Sequence, residues 1–174
     1  MLGVLTAQAA IGAAQALREP VVHEIGPATS DVEVDGILDE PAWDDALSLE
    51  LGYEVEPGEN VPPPVRTEVM LTYDDTRLLV GIRAHDPHPE EIRARFSDRD
   101  QLWSDDWLGI AVDTFNDQRR AYEFIVNPLG VQMDALNDDI GGNYDRSWDA
   151  IWSSAGRLTS FGWTAEMAIP FSQI

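Results

Sequence analysis

The 174-residue chain contains no cysteine. Disulfides, thiolate metal centres and cysteine nucleophiles are therefore excluded. Lysine is also missing, so all 11 basic side chains are arginine, against 32 acids and a formal balance of −21. A surface so negative repels phosphate backbones, which removes nucleic acid as a partner. It also opposes anionic membranes and anionic polysaccharides unless a divalent cation intervenes. With only His23, His85 and His88 available, no Ser-His-Asp order suggests itself, and no glycine-rich phosphate loop is present. Long apolar runs are absent as well. Residues 1–17 are uncharged but too short and too rich in Ala and Gln to span a bilayer, which takes ~20 apolar residues.

What is present suits one folded domain. Apolar residues make up 44% of the chain, enough for a core, and the length matches a single domain. Residues 1–20 form a signal-like or disordered segment. Its apolar stretch and the small-x-small pattern Ala14-Gln15-Ala16 predict export, to the outside or to the cell envelope (periplasm or outer membrane). Residues 21–174 form the domain proper.

There the pattern is of short alternating strands. Arg66–Tyr73, Leu78–His85, Trp107–Asp113, Arg120–Asn127, Val131–Ala135, Ala150–Ser154 and Trp163–Ile169 carry apolar residues at every second position or in short buried runs. Turn chemistry separates them, as in Asp74-Asp75-Thr76 and Phe115-Asn116-Asp117-Gln118. Helix is scarce: an N-capped turn at Asp39–Trp43, two turns at Pro89–Arg95, and an extended proline-rich loop from Pro57 to Val65. About eight short strands at hairpin spacing predict an all-β fold, an antiparallel β-sandwich.

Three groups of side chains carry candidate chemistry. Asp98, Asp100, Asp105 and Asp106 fall close together, with Asp134, Asp138, Asp139 and Asp145 further on, the kind of oxygen donors that Ca²⁺ takes. Asn137–Gly142 only partly resembles a calcium loop, because the closing Glu position holds Trp148. The calcium candidates are thus Asp98, Asp100 and Asp105; His85-Asp86-Pro87-His88 offers a sparser set for zinc. Glu123 and Glu166, each centred in a strand and opposite its apolar row, are the pair that a glycoside hydrolase would need to converge. Six tryptophans are the third signal: Trp43 and Trp163 sit in apolar rows and belong to the core. Trp103 lies in the polar loop Gln101–Asp105, where an exposed indole flanked by carboxylates and amides suits a sugar ring.

Several stretches are familiar. Val34-Asp35-Gly36-Ile37-Leu38-Asp39-Glu40-Pro41-Ala42-Trp43 resembles the opening signature of carbohydrate-binding module family 9. So do Tyr73–Val80, Asp106–Asp113 and Gly162-Trp163-Thr164-Ala165-Glu166 with Ile169-Pro170-Phe171, in the right order. Arg99-Asp100, Ser104-Asp105-Asp106, Asp113–Asp117 and Asn127–Gln132 look closest to a branch of bacterial proteins in which such a module precedes a β-rich region of outer-membrane type. The resemblance implies a β-sandwich that clamps sugars between two tryptophans, often with structural calcium and attached to glycoside hydrolases. On it, Trp103 is the first clamp residue, and the second lies beyond Ile174. Trp103, Asp106, Glu123 and Asn127 are the candidate carbohydrate contacts. A Glu and an Arg that the family uses on sugar hydroxyls are replaced by Gly109 and Ile125. Ile174 matches a point after which the family's sandwich continues, so the sandwich is expected to be incomplete, with an exposed edge near Trp163–Ile169.

Three functions follow as expectations. The first is a non-catalytic sugar-binding module serving polysaccharide catabolism, with carbohydrate and a following β-rich domain as partners. The second is a structural or interaction module of an outer-membrane protein without sugar affinity. The third is a small glycoside hydrolase.

Overall fold

The computed structural model describes residues 22–54, 61–138 and 140–174. The signal-like segment, residues 57–60 of the proline-rich loop and Asp139 lie outside them. Among the described residues a one-turn helix α1 (Pro41–Asp44) precedes nine strands: β1 (Leu47–Glu50), β2 (Thr67–Tyr73), β3 (Arg77–His85), β4 (Leu108–Val112), β5 (Arg120–Val126), β6 (Gln132–Asp138), β7 (Asn143–Asp145), β8 (Ser153–Thr159) and β9 (Gly162–Pro170). They build two sheets, β1-β2-β3-β9-β8 and β4-β5-β6-β7, and every pairing is antiparallel. The fold is the all-β sandwich that the alternation predicts.

The inner faces are the expected apolar rows. Val80, Ile82 and Ala84 of β3 and Trp163, Ala165, Met167 and Ile169 of β9 meet Phe124 and Val126 of β5, with Trp152 between them. Because successive side chains alternate, the remaining residues of the five-stranded sheet point outward. The middle of that outer face is shielded from water as well. Residues 28–46 lie across it, and Val32, Ala42 and Trp43 bury Met70, Leu79 and Ala168. Gly81 leaves the necessary room, since a Cβ there would stand 3.1 Å from the Trp43 ring.

The cover is fastened by one carboxylate. Glu166 on β9 is fully buried. Its Oε2 accepts the backbone N–H groups of Asp35 and Gly36 at 2.9 and 2.8 Å, and its Oε1 accepts the Trp43 indole N–H at 3.0 Å. The same indole is shared with Glu40. Burial pushes the Glu166 pKa from an ordinary 4.5 up to about 7, against the pull of these donors and with a further push from Glu40.

Backbones also touch without side chains between them. Gly36 and Gly130 both have left-handed φ, 86° and 76°, and approach strand β8 at Gly156 from its two sides. A Cβ on Gly156 would stand 2.6 Å from Gly130 N and 2.7 Å from Pro128 O.

Several local expectations are corrected. The helical turn starts from Glu40 without a side-chain cap; Ser30 Oγ takes the Ala42 N–H instead. The two turns at Pro89–Arg95 shrink to one 3-10 turn at Pro89–Glu91, because the backbone N–H groups of Arg93 and Arg95 are drawn to Asp106 and Asp105. The strand expected at Ala150–Ser154 begins only at Ser153. Upstream, Asp134, Gln132, Arg99 and Gln173 side chains take the backbone groups of residues 150–152 that a ladder would have used. The calcium-like stretch is the β6–β7 hairpin, whose turn is tied by Asp138 to the N–H groups of Ile140 and Gly141. Strand β9 is not an edge: it pairs with β3 and β8, and the edges of its sheet are β1 and β8.

Two predictions follow from this packing. Gly156→Ala is expected to cost about 2 kcal/mol through overpacking against immovable backbone, read as a lowered unfolding midpoint in urea. For Glu166, the folded state holds the proton more tightly than the unfolded chain. Its contribution is complete below about pH 4.5 and is lost as pH rises through 7. Asp74 acts in a different window: burial raises it, but Arg77 and Thr76 donors outweigh that and hold it near 2, so its contribution is lost only as pH falls through that range. Stability measured across pH 4.5–7 should therefore decline, and Glu166→Gln should flatten the decline while lowering stability at its acid end.

Candidate functional site

The outer face of the four-stranded sheet is built differently from its counterpart. Leu108, Ile110, Tyr122, Phe124 and Val126 point to the core. Cross-strand partners share a face, so Gly109 and Ala111 of β4, Ala121, Glu123 and Ile125 of β5, Met133, Ala135 and Asn137 of β6 and Tyr144 of β7 form the outside. Trp107, just before β4, falls on the same parity as Gly109.

One part of this face is plugged. Leu102, from the loop before β4, is wholly buried on Ile125 and Met133, with Tyr144 beside it. The rest is open. Trp103 and Trp107 are 42% and 44% exposed and meet edge to face, with ring centroids 5.6 Å apart. Gly109 and Ala111 next to Trp107 are exposed too, giving a floor of small residues. The Arg146 guanidinium carbon lies 5.0 Å from the Trp103 ring centroid and 5.4 Å from that of Tyr144. Tyr144 in turn donates its hydroxyl to Glu123 Oε2 at 2.7 Å, and Asn137 Nδ2 donates to Oε1 at 2.9 Å. Burial, then Glu123, push the Tyr144 phenol above its ordinary pKa, so it stays a donor. An aromatic wall thus runs into a cluster holding a carboxylate, an amide and a phenol, the groups that stack on sugar rings and hold their hydroxyls.

The four expected sugar contacts fare unequally. Trp103 and Glu123 lie on this face. Asp106 anchors the preceding segment, accepting from Arg93 N and pairing with Arg93 Nη2 at 3.1 Å. Asn127 is wholly buried with its amide fully used: Nδ2 donates to Arg95 O and Asp105 Oδ2, and Oδ1 accepts from Leu129 and Val131 N–H. It closes the β5–β6 turn and holds the Arg95–Asp105 loop that carries Leu102 and Trp103. Sequence reasoning missed Trp107, Asn137, Tyr144 and Arg146 as site residues. The alternation at β4 already implies an outward Trp107; no local signal marks the other three, which only the β6–β7 hairpin brings beside the Trp103 loop.

The calcium candidates do not share a site. Asp105 is saturated by Arg95 and Asn127, whose donors outweigh its burial and hold its pKa low. Asp100 lies near Asp134 instead, and one oxygen of each is buried without a hydrogen-bond partner. Burial and then the Asp134 charge raise the Asp100 pKa, despite the Asp134 N–H that it accepts. Asp134 itself is neutralised by Arg99, which also approaches Asp149. Two carboxylates beside a guanidinium fall short of the oxygen shell that calcium needs. Among the described residues no three His, Asp or Glu side chains converge as metal ligands, which covers the His85–His88 set as well.

Residues 34–174 match the sequence pattern of the family described as carbohydrate family 9 binding domain-like. The chain belongs to this family. No curated protein matches its sequence. Among solved structures it is similar to a Bacteroides uniformis protein proposed to bind carbohydrate, with TM-score 0.61 and 15% identity over 86% of this chain and 72% of that one. It is also similar to a family 9 carbohydrate-binding module from Caldicellulosiruptor kristjanssonii solved with cellotriose, with TM-score 0.53 and 17% identity over 85% of this chain and 67% of that one. The same module with glucose gives TM-score 0.53 and 16% identity, over 85% and 69%. At such identities the likeness is one of fold.

Within this family 9 domain, the two departures noted in the sequence turn out to be one. Gly109 and Ile125 are cross-strand partners, and a Cβ on Gly109 would stand 2.8 Å from the Ile125 side chain. Where the family resemblance leads one to expect a Glu and an Arg, the exposed Gly109 stands across from Ile125, on which Leu102 is buried.

The internal role of Asn127 gives a prediction. Asn127→Ala should destabilise the domain by about 3 kcal/mol, because it strands buried backbone donors and part of Asp105. Urea unfolding reads that loss, and titration of the still-folded variant should show weakened ligand affinity as well, because the loop that carries Trp103 loses its anchor.

Proposed function

We propose that this domain is a non-catalytic carbohydrate-binding module. The observation that carries the reading is the exposed Trp103–Trp107 pair beside the Gly109–Ala111 floor, with Glu123, Asn137 and Tyr144 alongside. An apolar sugar face stacks on the indoles while the carboxylate and amide take hydroxyls. The family 9 relatives solved with cellotriose and glucose supply the first probes. We also propose that the module is exported and serves a larger envelope protein active in polysaccharide catabolism, with a β-rich region of outer-membrane type following it and any hydrolysis performed by attached domains. Support for that wider setting comes from the Asp113–Asp117 and Asn127–Gln132 stretches and the signal-like start.

One observation favours a second reading, a structural or interaction module without sugar affinity. Ile125, Leu102 and Met133 have turned part of the face into a closed apolar plug. The hydrolase reading is the poorest of the three, because Glu123 and Glu166 stand on the outer faces of opposite sheets and cannot flank one bond.

Titration calorimetry separates these readings. A sugar-binding module should give saturable heat, and Trp103→Ala or Trp107→Ala should each cost ~1–3 kcal/mol of affinity, by analogy with aromatic hot spots. A folded domain giving no heat with any saccharide would select the second reading. Release of reducing sugar by the purified domain would revive the third.

A further inference from the structure

We infer that the saccharide recognised on this face is acidic, carrying a uronate carboxylate that Arg146 receives. The inference rests on the sugar-binding reading above and narrows its ligand class.

Arginine in this chain is surrounded by an excess of acids, and most of the described arginines are ion-paired with one. Among the described residues Arg119, Arg146 and Arg157 are not. Arg157 is cross-strand to Thr164, on the outer side of the five-stranded sheet. Arg119 and Arg146 both belong to the candidate face. Arg119 leads into β5 on the parity of Ala121 and Glu123 and lines a recess of about 190 Å³ with Asn137. Arg146 is seated against Trp103 and Tyr144 and has no hydrogen bond or ion pair of its own.

That combination is the informative part. Aromatic rings engage a guanidinium through its flat face and fix its position, while its N–H donors stay at the edge. An edge with free donors, already held in place, is the form that grips a carboxylate through two parallel hydrogen bonds. A neutral glucan would stack on Trp103 or Trp107 and leave Arg146 idle. A uronate ring can use the same indole and present its carboxylate to Arg146. The nearby Glu123 keeps its negative charge, but Tyr144 and Asn137 donate to its two oxygens and hold it in place, and no ion pair ties it to Arg146. The overall charge of −21 opposes approach of a polyanion from afar. At physiological salt that field is screened beyond about 8 Å, so contact with Arg146 decides the bound state.

The test is titration of the full chain with trigalacturonic acid and with cellotriose at one fixed, near-physiological salt concentration. The wild type should bind the acidic trisaccharide at least tenfold more tightly. Arg146→Gln should remove that advantage by weakening the acidic trisaccharide at least tenfold more than it weakens cellotriose, and Arg146→Lys should restore only part of it, since charge returns without the fork. Circular dichroism of each variant verifies that it is folded. Equal affinity for both probes, or an Arg146→Gln loss shared equally between them, overturns the inference while leaving the sugar-binding reading in place. No heat from either probe in a folded wild type overturns both.

Discussion

Glu166 makes an unusual commitment for a side chain in the middle of a β-sheet. It faces away from the main core, on a side that most sandwiches leave to water, and meets three N–H donors from a segment some 130 residues earlier in the sequence. Without the cover formed by residues 28–46, that carboxylate and the outward Met70, Leu79 and Ala168 would face solvent. Without Glu166, the buried Gly36 N–H would lose its acceptor, a penalty of ~1–3 kcal/mol, and the Asp35 N–H would keep only Glu33 O. The opening signature and the Trp-Thr-Ala-Glu signature are therefore two halves of a single contact. The middle of the five-stranded sheet is thereby covered on both sides, whereas the Trp103–Trp107 part of the other sheet stays open.

On that second sheet a smaller polar hub has the corresponding task. Asn127 saturates its amide on Asp105, Arg95 and its own turn, and so ties the loop ahead of β4 to the β5–β6 hairpin. Leu102 then has a fixed place to be buried, and Trp103, one residue on, is turned outward. Exposure of the indole is a consequence of this anchoring and not of loop looseness. The site therefore depends on residues that no ligand would touch.

Period-two alternation made the sandwich legible, because it survives wherever one face of a strand is buried. It placed Tyr122, Phe124, Val126 and the Trp163–Ile169 row correctly without any tertiary information. It faltered where side chains replace the ladder. Residues 150–152 look like strand, but their backbone groups are held by Asp134, Gln132, Arg99 and Gln173 from distant positions. The site was half legible for a similar reason. An indole in a polar loop stands out in a sequence, whereas the seating of Arg146 on Trp103 requires knowing that the β6–β7 hairpin folds back beside that loop. Asn127 was misjudged from the opposite direction: an amide is read as a ligand group until all four of its hydrogen bonds are seen to be internal.

The three glycines at the meeting of the cover, strand β8 and the β5–β6 turn bear on how the molecule can move. Side chains that separate two sheets act as bearings, since rotamer changes let layers shift by an ångström or so. At Gly36, Gly156 and Gly130 there are no bearings, and backbone rests directly on backbone. The two sheets are pinned there against sliding. The four-stranded sheet is thus a preset surface, which pays little ordering entropy on meeting a ligand and leaves its selectivity to the side chains already standing on it.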